Sequence, residues 1–232
     1  MKRRIASIAA AVCMLASAGA RADIVKITGY EWGSSDIDTS MTGTVGVGEF
    51  KGLLNGNAFV TYCTDIFESF SWNVSYDNYF VAANGSTYGF TNSQAGMLGK
   101  LYSVADALVN TRDESVAFQL AVWEILYDTS YQVSNVAGRG TFYVEDGGTS
   151  GQRSLANNWL AQASALGSSQ FNVVRLASVD APRANDGHQD FILVSHVPEP
   201  ATYALMLAGL GGMALASRRK RVAALPSRAR SA

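Results

Sequence analysis

The sequence predicts an α+β fold in one exported domain, with an antiparallel β-sheet and about three helices in the middle of the chain. Strand-like segments come first, helical segments follow, and two more strand-like segments close the body, an order that favours α+β over alternating β/α. An apolar stretch beside basic residues marks each end of the chain. The body between them, residues 23–196, has the length of one domain with its own core.

The first 22 residues have the layout of a cleaved secretory signal. Basic residues at positions 2–4 precede an apolar run over residues 5–18, and small-x-small sites end at Ala20 and Ala22. The run is too short to span a bilayer comfortably, so cleavage is expected. We therefore expect the Sec translocon and signal peptidase as partners, with a mature chain that begins at Arg21 or Asp23.

The charge of the chain is unevenly distributed. The whole sequence has 18 Lys and Arg against 19 Asp and Glu, but residues 23–196 hold only 8 Lys and Arg against 18 Asp and Glu, a net charge of −10. An acidic body argues against binding to nucleic acid or anionic membranes. No nucleotide, haem or zinc signature is present, so neither a cofactor nor a metal is expected.

The first part of the body is rich in predicted strands. Residues 24–28 form a short apolar strand, and residues 43–50 alternate in polarity with several glycines. In residues 53–62, Asn55 and Gly56 stand between two apolar pieces, which is a strong signal for a β-hairpin.

Apolar residues at helical spacing predict three helices, over residues 93–109, 111–127 and 154–166. Thr111 and Glu114 form a predicted capping box, in which each side chain satisfies a free backbone N–H at the start of the second helix. Two closing strands are predicted over residues 171–176 and 190–194.

A lone cysteine and a buried glutamine form the most informative pair in the body. Cys63 follows Tyr62 at a strand end and is the single cysteine outside the signal. Gln119 lies on the apolar face of the second helix, one turn before Trp123, and a buried amide must find hydrogen-bond partners. One solution is an internal thioester, in which the Cys63 sulfur attacks the Gln119 carbonyl and ammonia leaves, with apolar neighbours excluding water.

These segments resemble the Cys–Gln thioester domains of Gram-positive surface adhesins. Such domains carry an aromatic-Cys strand end and, later, a Gln-x-Ala-[Ile/Val]-Trp helix, and the similarity covers about residues 60–127. The resemblance implies that Cys63 supplies the sulfur and Gln119 the acyl group, while Tyr62 and Trp123 shield the bond. Its targets would be surface amines or hydroxyls, or exopolysaccharide.

Two other interpretations remain open. A buried free cysteine commonly behaves as a small hydrophobe, and Gln119 would then only hydrogen-bond a neighbouring loop in a non-covalent structural protein of the exopolysaccharide or biofilm matrix. A secreted thiol hydrolase would need a base beside Cys63, and His188, in a predicted turn, is the weak candidate. We favour a non-enzymatic protein.

The C-terminal segment has three parts. Val197, Pro198, Glu199 and Pro200 come first, and the uncharged residues 201–217 follow. A basic cluster completes the segment: Arg218, Arg219, Lys220 and Arg221. Seventeen helical residues reach about 25 Å, near the lower limit for a membrane span, and the basic cluster and residues 222–232 would stay cytoplasmic.

This order resembles the PEP-CTERM sorting signal, over residues 197–221. The resemblance implies processing by an exosortase, a membrane-embedded cysteine protease that acts near the Pro-Glu-Pro, in a Gram-negative host that makes exopolysaccharide or biofilm matrix. The chain would be held transiently at the inner membrane and then reach the cell surface or extracellular matrix. The predicted function is therefore that of an exported surface or matrix protein, with covalent adhesion through Cys63 and Gln119 as its chemistry.

Overall fold

The computed structural model describes residues 22–145, 150–178, 188–197, 205–210 and 213. The chain divides into two compact units, Met1–Ser195 and His196–Ala232. The predicted secretory signal lies outside the described residues, apart from Ala22.

A six-stranded sheet forms the frame of the first unit, in the order β5-β4-β1-β6-β7-β8. The pairs β1–β4, β1–β6, β4–β5 and β6–β7 are antiparallel. Strands β2 and β3 form a separate antiparallel pair. The strands are β1 (Asp23–Tyr30), β2 (Ser35–Thr39), β3 (Gly43–Val47), β4 (Phe50–Leu54), β5 (Asn57–Thr61), β6 (Tyr76–Ala82), β7 (Phe171–Ser178) and β8 (Phe191–His196).

Three α-helices follow β6 along the chain and complete the predicted α+β fold: α1 (Asn92–Ala105), α2 (Arg112–Tyr127) and α3 (Ser150–Ala165). A short 3-10 helix, Asp106–Leu108, takes the place of the last residues of the first predicted helix. Helix α2 is the central one, since every residue from Ser115 to Ile125 is buried. Its packing against α1 and α3 places this helix in the core.

The predicted hairpin turn and the predicted cap of α2 are both confirmed, although the second half of the capping box differs. Asn55 and Gly56 join β4 to β5 with φ values of 52° and 82°, the left-handed conformation that a two-residue hairpin turn requires. Thr111 caps α2 by accepting from the Glu114 N–H at 3.3 Å. The Glu114 carboxylate, however, accepts from the N–H of Asn110 at 2.9 Å, so the reciprocal half of the predicted capping box reaches one residue further back.

The strand prediction differs from the structure in two places. The segment 43–50 is divided between β3 and the start of β4 because Gly48 and Glu49 interrupt the strand. Strands β2 and β6 were not predicted as separate strands: β2 contains two aspartates, and the burial of β6 does not alternate regularly along its length.

The two edges of the large sheet meet at the end of β5. Cys63 forms an antiparallel bridge with Phe191 of β8. The Ile192 N–H donates to the Tyr62 carbonyl at 3.1 Å, and the Thr64 N–H donates to the Asp190 carbonyl at 3.0 Å. Cys63 is therefore held between two backbone hydrogen bonds at the point where the sheet closes.

In the second unit, the described residues Leu205–Leu210 and Met213 are helical. Among the described parts of the chain, no helix has the length and apolar character needed to cross a membrane. Most of the span predicted over 201–217, and all of the basic cluster, lie outside the described residues.

Candidate functional site

The structure brings Cys63 and Gln119 together across 56 positions of sequence. The Cys63 N–H donates to Gln119 Oε1 at 2.9 Å, and Gln119 Nε2 donates to the Cys63 carbonyl at 2.9 Å. The Gln119 side chain is 1% exposed. The buried amide thus finds both its partners on the backbone of the one cysteine in the body.

The Cys63 thiol is buried, and burial favours its protonated form. Cys63 is 4% exposed, and Sγ donates to the Asp65 carbonyl at 3.4 Å. Burial raises the pKa of the thiol well above its usual range, the indole N–H of Trp123 opposes that rise, and the negative charges of Asp65 and Asp190 add to it. A thiol in this state resists oxidation and adventitious alkylation.

The two predicted shielding residues have different surroundings. Trp123 is 2% exposed and lines the same cavity as Cys63. Tyr62 instead stacks on Phe118 with ring centroids 4.5 Å apart and meets Tyr102 edge-on, within the helical core. Of these two residues, Trp123 therefore lines the cavity and Tyr62 packs in the helical core.

A cavity of about 210 Å³ reaches Cys63. Aromatic rings make up much of its wall: Tyr30 stacks on Phe50 at 4.9 Å, and Phe70 meets Trp72 edge-on at 4.8 Å. Trp72 is 44% exposed, which places this end of the wall at the surface. One water molecule needs only about 10–15 Å³ of such space, so the cavity admits a small nucleophile to the buried site.

The turn after Cys63 is fixed from two directions. The Tyr127 hydroxyl donates to the Thr64 carbonyl at 3.0 Å and accepts from the Ile66 N–H at 3.1 Å. Gln189 Nε2 donates to the Asp65 carbonyl, the same oxygen that accepts from Cys63 Sγ. These contacts hold the thiol in one position relative to α2.

Tyr127, Asp65 and Gln189 were not identified from the sequence. Tyr127 lies two turns after Gln119 on α2 and therefore near the same face of that helix, a weak signal that was available. Gln189 reaches Asp65 from 124 positions away, and no local pattern indicates that contact.

The alternative thiol–histidine pair has no support in the wall of this cavity. The His188 ring packs on Tyr76 with centroids 3.9 Å apart, and the described residues that line the cavity with Cys63 include no histidine. Among the described residues, no group of three or more His, Cys, Asp or Glu could hold a metal ion.

Comparison with known families identifies the C-terminal segment. Residues 196–221 match the family model for the PEP-CTERM protein-sorting motif. Signals of this kind are recognised by exosortase, so the chain is an exosortase-processed protein of the cell surface or extracellular space. The sorting residues Val197, Pro198, Glu199 and Pro200 and the basic residues 218–221 all fall within the match.

No curated protein and no solved structure matches the chain. These comparisons give no support to the resemblance of the body to thioester domains, which stays a prediction from its two motifs.

Proposed function

We propose that the exported body forms an internal thioester between Cys63 and Gln119 and uses it to attach covalently to an amine or hydroxyl on a surface or in an extracellular matrix. The observation that supports this most directly is the pair of 2.9 Å hydrogen bonds between the Gln119 amide and the Cys63 backbone. They hold the acyl carbon of one residue beside the residue that carries the thiol, and such fixed proximity is the main requirement for an intramolecular acyl transfer.

Formation of the bond needs no external reagent. The Cys63 sulfur attacks the Gln119 side-chain carbonyl carbon, the C–N bond breaks, and the thiol proton leaves with Nε2 as ammonia. Negative charge builds on Oε1 during the attack, and the Cys63 N–H already donates to this oxygen. A donor fixed at the developing oxyanion before the reaction stabilises the tetrahedral intermediate.

Attachment is the reverse exchange with a different nucleophile. A primary amine attacks the thioester carbonyl, an amide forms, and Cys63 is released as a thiol that takes up the amine proton. A hydroxyl gives an ester by the same route. The aromatic cavity that reaches Cys63 is the approach for the nucleophile, while burial protects the thioester from bulk water.

The sorting tail supports an extracellular setting for this chemistry. Transient retention of residues 201–217 in the inner membrane, with the basic cluster on the cytoplasmic side, would precede exosortase cleavage near Pro198–Pro200. The body would then meet its target at the cell surface or in the matrix, where exopolysaccharide is one candidate partner. The acidic body suits a soluble extracellular protein.

Labelling with a biotinylated primary amine tests the proposal. The processed protein should incorporate one label, and peptide mapping should place it on Gln119. Cys63→Ala must abolish labelling, because without the sulfur Gln119 is an unactivated amide. Labelling that persists in Cys63→Ala, or that maps to another glutamine, contradicts the thioester.

The second candidate is a non-covalent structural protein of the biofilm or exopolysaccharide matrix. The same two hydrogen bonds favour it in one respect, since they satisfy the buried Gln119 amide without any covalent bond. In that case Cys63 is a packed thiol, and no amine is incorporated. A secreted thiol hydrolase is the third candidate, and it requires turnover of a substrate that stops when Cys63 is alkylated.

A further inference from the structure

We propose that Trp123 is a catalytic residue of the thioester, whose indole N–H donates to the Cys63 sulfur as that sulfur leaves as a thiolate. This inference rests on the proposed thioester, and it assigns Trp123 a polar role in place of simple shielding. The reaction concerned is attack by an amine, in which the bond between Cys63 Sγ and the Gln119 acyl carbon breaks and the electron pair stays on sulfur.

The position of Trp123 follows from the helix that carries it. Trp123 lies four residues after Gln119 on α2, so the two side chains share a helix face. Gln119 is hydrogen-bonded to the Cys63 backbone, and Trp123 lines the cavity that reaches Cys63. The same helix therefore carries both the acyl group and an indole in the wall of the cavity that reaches Cys63.

The indole N–H is an unused donor in the resting structure. Trp123 is 2% exposed, and its Nε1 has no hydrogen-bond partner among the described residues. A buried donor without a partner carries a desolvation penalty. An acceptor that appears only during the reaction removes this penalty at that moment, so the contact favours the transition state over the ground state.

Two neighbours of the sulfur are poorly suited to this role. Sγ faces the Asp65 carbonyl, which is an acceptor, and the Asp65 and Asp190 charges disfavour a second negative charge nearby. Gln189 also lines the cavity, but its Nε2 already donates to the Asp65 carbonyl. The Trp123 N–H favours the thiolate form of Cys63 over the neutral thiol, and this opposes the rise in the thiol pKa that burial causes.

The test compares Trp123→Phe with Trp72→Phe in the processed protein. Both variants keep an aromatic ring in the wall of the same cavity, and both lose an indole N–H. The second-order rate constant for methylamine consumption, followed by intact mass, should fall about 10- to 100-fold in Trp123→Phe and change less than about twofold in Trp72→Phe. Equal rates in wild type and Trp123→Phe would overturn the proposal.

A second readout separates a donor from a merely structural residue. After methylamine has opened the thioester, Cys63 is a free thiol, and its alkylation by iodoacetamide at fixed pH reports its thiolate fraction. Trp123→Phe should lower that rate, while Trp72→Phe should not. A higher or unchanged alkylation rate in Trp123→Phe, as a loosened cavity would give, contradicts the assigned role.

The wild-type chain provides the test if Trp123→Phe does not fold. Incorporation of 5-fluorotryptophan makes every indole N–H more acidic without changing the chain, and Trp72→Phe labelled in the same way controls for the cavity wall. Faster aminolysis in both labelled proteins is expected, and an unchanged rate in both would overturn the inference. If the mass of the unlabelled wild type shows no loss of ammonia, the proposed thioester is wrong. That outcome is distinct from a thioester that forms but whose aminolysis rate does not depend on Trp123.

Discussion

The Gln119 side-chain amide and the Cys63 backbone amide form a closed pair of hydrogen bonds, each 2.9 Å long. The pair joins the central helix α2 to the place where the edges of the large sheet meet. One side chain therefore serves two purposes: it satisfies two buried backbone groups, and it holds its own acyl carbon close to the residue that carries the thiol.

Removal of this amide should destabilise the fold even when no thioester can form. In a Cys63→Ala background, Gln119→Leu leaves the N–H and the carbonyl of residue 63 buried without partners. At about 1–3 kcal/mol for each group, the free energy of unfolding should fall by about 2–6 kcal/mol. Urea denaturation of the two proteins measures the difference.

Gln162→Leu in the same background is the control, because Gln162 is exposed on α3 and its loss should cost less than about 0.5 kcal/mol. A cost for Gln119→Leu no larger than that of the control would mean that the hydrogen-bonded pair does not hold the helix to the sheet.

The Tyr127 hydroxyl should fix the turn that follows Cys63. Tyr127→Phe removes the bonds to Thr64 and Ile66, so unfolding should become easier by about 1–2 kcal/mol and amide hydrogen exchange at Ile66 should accelerate. Tyr88→Phe is the control, since Tyr88 is exposed and its ring meets Phe80 edge-on. Unchanged exchange at Ile66 would show that the turn is held by other contacts.

The stability of the body should fall as pH rises from about 4.5 to 7. Burial raises the pKa of Glu49 to about 7, although the Trp32 N–H donates to its carboxylate at 2.9 Å and partly opposes the shift. Between these pH values the folded state keeps the proton that the unfolded state has released, so the free energy of unfolding decreases with pH and levels off above 7. At 1.36 kcal/mol per pKa unit the decrease from Glu49 is at most about 3 kcal/mol.

Glu49→Gln should make that pH dependence shallower in thermal or urea unfolding. It should not remove it entirely, because burial also raises the pKa of Asp190, to about 6, and this group acts in the same direction over about pH 4–6. An unchanged slope between pH 6 and 7 in Glu49→Gln would show that Glu49 is ionised in the folded protein.

Substitution of Pro198, Glu199 and Pro200 by alanine should stop processing of the tail. In a host that contains an exosortase, the variant should remain in the membrane fraction at full length, while the wild type is shortened and released. Pro226→Ala is the matched control because residue 226 lies outside the matched motif, residues 196–221. Normal release of the triple variant would mean that another segment directs the sorting.

Local signals account for the parts of the fold that the sequence predicted well. The Asn55–Gly56 turn and the Thr111 cap each depend on a few adjacent residues, so the hairpin and the start of α2 could be predicted from the sequence. Strand β6 was missed because Tyr76–Ala82 includes Asp77 and Asn78 and lacks regular alternation. Its place in the middle of the sheet comes from pairing with β1 and β7, which no local pattern shows.

The candidate site could be predicted only in part, because local sequence patterns do not show contacts between residues far apart in the chain. The contact between Cys63 and Gln119 was expected because a buried amide needs partners and because both motifs resemble a known pairing. The closure of the sheet at Phe191 and the contact of Gln189 with Asp65 join residues more than 120 positions apart. They depend on how the last strand returns to the first half of the chain, which only the folded structure reveals.

The intact mass of the processed protein before and after methylamine tests the thioester most directly. The account predicts a mass about 17 Da below that of the free thiol and amide, one ammonia, and a gain of one methylamine, about 31 Da, on treatment. Both changes should be absent in Cys63→Ala and in Gln119→Ala. A wild-type protein that has its full mass and does not react with methylamine would contradict the covalent account and leave a non-covalent surface or matrix protein with the same sorting tail.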